Sequence, residues 1–272
     1  MGAIYNGSIT YSRYPENKII TPILYPTWRF PLPPLKFAKT YGANGIFFNP
    51  IAETDLALCA DDLVPAGNWA SRVGAYVATV TGTPETGIAT PFYPSALYDG
   101  SNNRKSVSKF QTGPEYSYHL ASGVENELLS TNAISYCVAI KTGNGTLVEP
   151  ILSKYNAAGY NLLVQLDTLA GYYAVHLHVD YSITPIDLYI PATKNSFTVF
   201  GFTHDGATNT CYLYSLYTNS NAAGVGVIES GAATDLTIGY DLNATTFMDT
   251  AQIIEMMRFT KVLTSNEMKY AL

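Results

Sequence analysis

Seven short runs of β-branched and aromatic residues, separated by turn signals, constrain this chain more than any other feature. They are Ala133 to Lys141 (AISYCVAIK), Tyr160 to Leu166 (YNLLVQL), Tyr172 to Val179 (YYAVHLHV), Ser196 to Thr203 (SFTVFGFT), Thr210 to Tyr217 (TCYLYSLY), Asp235 to Gly239 (DLTIG) and Gln252 to Phe259 (QIIEMMRF). Their side chains suit a pleated, half-buried surface. Between them lie TGNG, NAAG, HDGATN and TNSNAAG, which supply the Gly, Asn and Asp that turns require. No long segment of period 3.6 stands among them to build the crossovers of a parallel sheet. The expectation is an all-β, antiparallel two-sheet sandwich.

The last run leads into a different signal. Strict alternation in Gln252 to Phe259 puts Ile253, Glu255 and Met257 on one face and Ile254, Met256 and Arg258 on the other. A turn at Thr260 and Lys261 follows, and then Leu263-Thr264-Ser265-Asn266-Glu267. Thr264 is placed to cap a short helix, with Glu267 reaching back to close a capping box.

The first 55 residues read differently. Thr21 to Phe37, TPILYPTWRFPLPPLKF, carries five prolines among large apolar side chains. Proline lacks the amide donor that sheet interiors and helices need, so the segment is expected to be extended and irregular. A disordered linker would be poor in aromatics, yet Tyr25, Trp28, Phe30, Leu32, Leu35 and Phe37 are here, followed by Ile46, Phe47 and Phe48. Such side chains need burial, either against their own domain or on a neighbouring subunit. The reading favours a docking arm over residues 1–55 and a sandwich over residues 56–272.

Charge and cysteine usage narrow the function classes. With 15 Lys+Arg against 21 Asp+Glu the net charge is −6, and no stretch concentrates basic residues as a phosphate-tracking surface does. Nucleic acid is not an expected partner. No apolar run reaches the roughly 18 residues of a membrane span, and no basic-then-apolar leader stands at the start. The expectation is therefore a chain made in the cytoplasm without a signal of its own. MGAIYN begins like a myristoylation signal, but Asn6 stands where Ser or Thr is needed. Cys59, Cys137 and Cys211 are widely spaced and read as buried thiols, fitting neither a disulfide framework nor a zinc site.

Several motifs, in order, resemble the laminin G-like branch of the concanavalin A-like lectin/glucanase superfamily. Ser95-Ala96-Leu97-Tyr98-Asp99-Gly100-Ser101 resembles its "al-x-fdGs" strand. Pro150 to Lys154 with Gly159 to Leu162 resembles its "il-s-k … gy-l-l" hairpin, and Thr203-His204-Asp205-Gly206 with Tyr212-Leu213-Tyr214 its "hdG … lYlnG" hairpin. The closing strand and capped turn complete the series. The resemblance spans roughly residues 56–272 and implies a concanavalin A-like jelly roll of two antiparallel sheets.

Enzymatic members of that superfamily carry carboxylates spaced E-x-D-x-x-E along one strand, which keeps acid, nucleophile and helper on one face. Here Glu53-Thr54-Asp55 lacks the second Glu, and Glu125-Asn126-Glu127 in VENELLS reads as an exposed loop or helical turn. No catalytic residue is assigned, and a non-enzymatic protein is expected. His176-Leu177-His178-Val179-Asp180 puts its polar residues on one strand face, with the histidines about 6.6 Å apart and Asp180 about 13 Å from His176. One ion cannot take all of them. A metal would need ligands from adjacent strands, for which His119 and His204 are the spare histidines, so the stretch reads as a polar sheet face and no metal site is assigned. Relatives of the laminin G-like type sometimes hold calcium with loop aspartates, which points to Asp61, Asp62 or Asp205; no cofactor is otherwise expected.

Sugar binding, the common non-enzymatic use of the family, needs aromatic faces beside hydroxyl-binding side chains. Tyr155, Asn156 and Tyr160 in one hairpin, with Asp205 and Asn209 in another, are the candidates. The main functional expectation is a virion structural protein of a tailed phage: a capsid decoration, head-fibre or tail-associated subunit held to other virion proteins by its arm. It would be a homo-oligomer, with a trimer as the expected assembly. The alternative is a carbohydrate-binding module or adhesin for host surface glycans.

Overall fold

The computed structural model describes residues 46–48, 64–65, 69–70, 77–81, 85–88, 105–108, 117–121, 127–145, 148–169, 172–229 and 234–272. All of them belong to the compact unit Pro34–Leu272. The docking-arm residues Tyr25, Trp28, Phe30, Leu32, Leu35 and Phe37 lie outside the described residues, as do Cys59, Asp61, Asp62 and the Ser95 to Ser101 motif.

In chain order the strands are β1 (Ile46–Phe48), β2 (Val64–Pro65), β3 (Trp69–Ala70), β4 (Val77–Thr81), β5 (Glu85–Ile88), β6 (Lys105–Ser108), β7 (Ser117–Leu120), β8 (Ala133–Lys141), β9 (Glu149–Asn156) and β10 (Gly159–Leu169). Then come β11 (Tyr172–Val179), β12 (Ile186–Pro191), β13 (Phe197–Asp205), β14 (Thr210–Ser215), β15 (Asn219–Ala223), β16 (Leu236–Ile238), β17 (Tyr240–Asp241), β18 (Thr246–Phe247) and β19 (Gln252–Phe259). Among the described residues one helix, α1 (Ser265–Ala271), follows. The first sheet runs β15-β14-β13-β8-β19-β6-β5-β2, with β1 also paired to β19. The second runs β12-β11-β10-β9-β16-β7-β4-β3, and β17 and β18 form a separate hairpin. Every ladder is antiparallel. This is the antiparallel two-sheet sandwich expected from the strand pattern, with the jelly-roll architecture that the family resemblance implied.

Alternation decides which side chains meet between the sheets. Ile134, Tyr136, Val138 and Ile140 of β8 and Phe200 and Phe202 of β13 face Val164 and Leu166 of β10, Val175 and Leu177 of β11, and Ile186, Leu188 and Ile190 of β12 in one buried core. Removing such side chains from water is the main favourable term in the fold. Cys137 and Cys211 are free buried thiols, as expected.

Three local features depart from the sequence reading. In β19 a bulge between Ile253 and Glu255 shifts the register, so Ile253 lies opposite Ile140, Met256 opposite Val138 and Arg258 opposite Tyr136. The extra residue breaks strict alternation and brings Ile253 to the face of Met256, not of Met257. TNSNAAG is not merely a turn: Asn219–Ala223 forms β15, the polar edge strand of the first sheet. Glu127 is buried rather than exposed, because its segment is tied to β10 through Asn161, whose Oδ1 accepts from the Leu128 N–H at 2.8 Å.

Candidate functional site

The outer faces of the two sheets have different fates. On the first, α1 lies over β8 and β13: the Met268 sulfur is 3.5 Å from Cys137 Sγ, and a Cβ on Gly201 would strike Met268. Among the described residues, no helix covers the second sheet. Its outward positions are Ser153 and Tyr155 on β9, Tyr160, Gln165 and Asp167 on β10, His176 and His178 on β11, and Asp187 and Tyr189 on β12. Register aligns them in rows, Tyr155 beside Tyr160, Gln165 beside His176 beside Tyr189, and His178 beside Asp187.

These side chains form a continuous row of rings across four strands. The Tyr155 and Tyr160 centroids are 4.9 Å apart, Tyr160 and His178 5.8 Å, His178 and His176 6.0 Å, and His176 and Tyr189 4.2 Å in a near-parallel stack. All but His176 remain partly open to solvent.

Polar contacts fix the rings in place. The Tyr160 hydroxyl donates to Asp241 Oδ2 at 2.7 Å and accepts from Asn243 Nδ2 at 2.9 Å. Asp241, buried at the base of the β17–β18 hairpin, also accepts from the Ser153 hydroxyl at 3.1 Å. Burial first, and then Asp241, push the Tyr160 phenol well above its ordinary range. Tyr189 is raised by burial and by the charge of Asp187.

The histidines share one carboxylate. Asp187 Oδ1 lies 2.9 Å from His176 Nε2 and 2.8 Å from His178 Nδ1. Beyond them, His178 Nε2 faces Asp180 Oδ1 at 3.1 Å, and His176 Nδ1 faces Gln165 Nε2 at 3.2 Å. Burial holds His176 below the ordinary histidine range, with Asp187 opposing it. Burial alone would raise Asp187, but the hydrogen bonds from His178 and His176 outweigh it and hold the carboxyl below the usual range.

Next to the ring row, a groove of about 300 Å³ is lined by His119, Ser153, Tyr155, Asp235, Thr237 and Leu242 among others. Tyr155 therefore belongs to both the row and the groove. Together they offer aromatic surface flanked by carboxylates and hydroxyls, a chemistry suited to a neutral polyhydroxylated ligand.

The sequence candidates are distributed unevenly over this surface. Tyr155 and Tyr160 are in it. Asn156 closes the β9–β10 turn, its Oδ1 accepting from the Ala158 and Gly159 N–H groups. Asp205 and Asn209 lie in the β13–β14 turn of the other sheet. Asp205 accepts there from the Ala207 N–H and the Thr208 hydroxyl, and Asn209 holds a left-handed backbone with φ 53°. Of the spare histidines, His204 is in the core and His119 is in the groove, its Nδ1 3.7 Å from Asp235. The third partner of His176 and His178 is instead Asp187. Asp187, Tyr189 and Asp241 lie outside the sequence candidates. For the first two a signal exists, since Ile186 to Pro191 (IDLYIP) alternates inward Ile, Leu and Ile with outward Asp and Tyr.

No family model matches the chain, and no curated protein does. Among solved structures, the binding domain of botulinum neurotoxin serotype G aligns at 10% identity over 71% of this chain and 47% of that one, with a TM-score of 0.48. This chain thus spans about half of the neurotoxin domain's length (47%). The CBM40 of Ruminococcus gnavus IT-sialidase, solved with α2,3-sialyllactose, aligns at 10% identity over 57% of this chain and 95% of that one, TM-score 0.43. A heptameric SAP-like pentraxin from Limulus polyphemus aligns at 15% identity over 61% and 80%, TM-score 0.44. Identities this low say nothing of this chain's ligands.

Proposed function

We propose that this chain is a non-enzymatic carbohydrate-binding β-sandwich, and that glycan binds on the outer face of its second sheet. The observation that carries the reading is the row Tyr155, Tyr160, His178, His176 and Tyr189, which runs beside a groove whose walls carry hydroxyls and a carboxylate. Sugar rings stack their C–H faces on such aromatics, and flanking polar groups select among hydroxyl patterns. Tyr155 and Tyr160 form the stacking end. Asp241 and Asn243 hold Tyr160 in place and do not contact the sugar themselves.

In this reading residues 56–272 are the displayed module and residues 1–55 its tether, except that β1 of that stretch already belongs to the first sheet. Ile46–Phe48 add a strand to β19. A place for the chain as an arm-anchored virion subunit rests on residues 21–37, outside the described ones, so glycan binding takes precedence over it. The two are compatible, because a lectin-like module on a particle does both.

The test is a glycan array on the purified chain, followed by titration of the best ligand against Y160A and Y189A. Loss of one stacking ring is expected to cost about 1–2 kcal/mol, a weakening of roughly five- to thirtyfold. An array without a single binder, or a binder whose affinity neither substitution changes, would overturn the assignment.

A further inference from the structure

The geometry points to a divalent transition-metal site on the same sheet, formed by His176, His178 and Asp187, with zinc as the ion its ligand types suit. One ring nitrogen of each histidine and an Asp187 carboxylate oxygen all lie within 4.8 Å of one another, and Asp187 Oδ1 faces His176 Nε2 and His178 Nδ1. Ligands about 2.0–2.2 Å from a shared zinc ion stand roughly 3.4 Å apart in a tetrahedral arrangement. The two histidine–carboxylate distances, 2.9 and 2.8 Å, open to that spacing as an ion enters between them. Asp187 now bonds both rings directly, and its side chain is 45% exposed, which leaves it room to swing outward and admit an ion.

The surroundings of the rings support the assignment independently. Metal-binding histidines commonly donate their second N–H to a carboxylate, which fixes tautomer and ring orientation. His178 Nε2 has Asp180 Oδ1 at 3.1 Å in that role. A neutral imidazole carries a single N–H, and both ring nitrogens of His178 face carboxylate oxygens. An ion taken up at Nδ1 in place of the Asp187 contact would leave Nε2 to donate to Asp180. His176 Nδ1 is 3.2 Å from Gln165 Nε2 and 3.7 Å from Asp167 Oδ2. Asp167, Asp180 and Asp187 together supply negative charge around two imidazoles, and a dication offsets it. Two nitrogens and one oxygen select zinc over calcium and magnesium, which prefer all-oxygen shells. The solvent-facing side stays open for water as a further ligand.

The proposal stands without the glycan reading, and its test uses no sugar. Untagged protein is treated with chelator and then titrated calorimetrically with zinc, calcium and magnesium chlorides. The expectation is one zinc ion per chain and a raised Tm with zinc alone, since an ion that binds only the native state stabilises it. D187N and H178Q, which keep shape and polarity, should each weaken zinc binding by at least about tenfold. H119Q, in the groove, should leave it unchanged. Circular dichroism melts of the ion-free variants establish that each is folded. Absence of zinc binding up to about 1 mM, a preference for calcium, or equal zinc affinity in folded D187N and wild type would each overturn the site.

Discussion

His204 illustrates how a single buried side chain sets a response to acid. It is fully buried on β13, with Nε2 3.2 Å from the Tyr181 hydroxyl and Nδ1 without a hydrogen-bond partner. Burial pushes its pKa down to about 4, against a weaker opposing pull from Asp205. The native state therefore keeps the ring neutral where the unfolded chain, titrating near 6.5, takes up a proton. The stability this supplies is complete above pH 6.5 and is lost as pH falls toward 4. At pH 5 the linkage amounts to about 2 kcal/mol relative to pH 7. H204Q removes the titration, so the wild-type loss of unfolding free energy between pH 7 and pH 5, read from urea midpoints, should exceed that of H204Q by about this amount. Parallel losses in the two proteins would show that His204 is not the sensor.

At the scale of elements, α1 is too short to persist by itself and depends on its cap and on the buried Met268. The Thr264 N–H donates to Glu267 Oε2 at 2.8 Å, the Glu267 N–H returns a bond to Thr264 Oγ1 at 3.3 Å, and Lys261 Nζ meets Glu267 Oε1 at 2.7 Å. T264A is expected to cost about 1 kcal/mol, lowering Tm and speeding amide exchange through the first helical turn. Unchanged exchange there would mean that Met268, fully buried, holds the helix without its cap. This element was legible in the sequence because a capping box is written in five consecutive residues. β8, β11 and β19 were legible for the same kind of reason: their alternation or apolar content is local. The bulge in β19 was not, since it is a relation between that strand and β8. The Asp187 bridge is likewise a cross-strand relation between β11 and β12, and His176-x-His178-x-Asp180 read along one strand points to the wrong third partner. Tyr155 and Tyr160 were found because a tight hairpin makes them neighbours in both sequence and space. Asp241, 81 residues from its partner Tyr160, had no such route.

Across the whole molecule, one question is what keeps the second sheet's outer face in place relative to the first sheet. Much of the answer lies in Glu149, the first residue of β9. Its carboxylate is fully buried, and Oε1 accepts from the N–H groups of Asp249 at 3.0 Å, Thr250 at 2.6 Å and Ala251 at 2.8 Å, the segment that enters β19 of the other sheet. A Cβ on Gly143, in the crossing from β8 to β9, would strike the same carboxylate, so the chain can approach there only as glycine. One acidic side chain thus joins the exit of β8, the entry of β9 and the entry of β19. Truncation leaves the buried Ala251 N–H and the half-buried Asp249 and Thr250 N–H groups without their acceptor at once, and hydrogen bonds to a charged acceptor are among the stronger ones. E149A is expected to lose about 3–5 kcal/mol of unfolding free energy, while E149Q, which keeps one acceptor oxygen and the side-chain volume, should recover roughly half. Zinc and glycan affinities of the folded fraction should stay at wild-type values, because Glu149 touches neither surface. A urea midpoint for E149A close to that of wild type would show that the sheets are held by their apolar core alone.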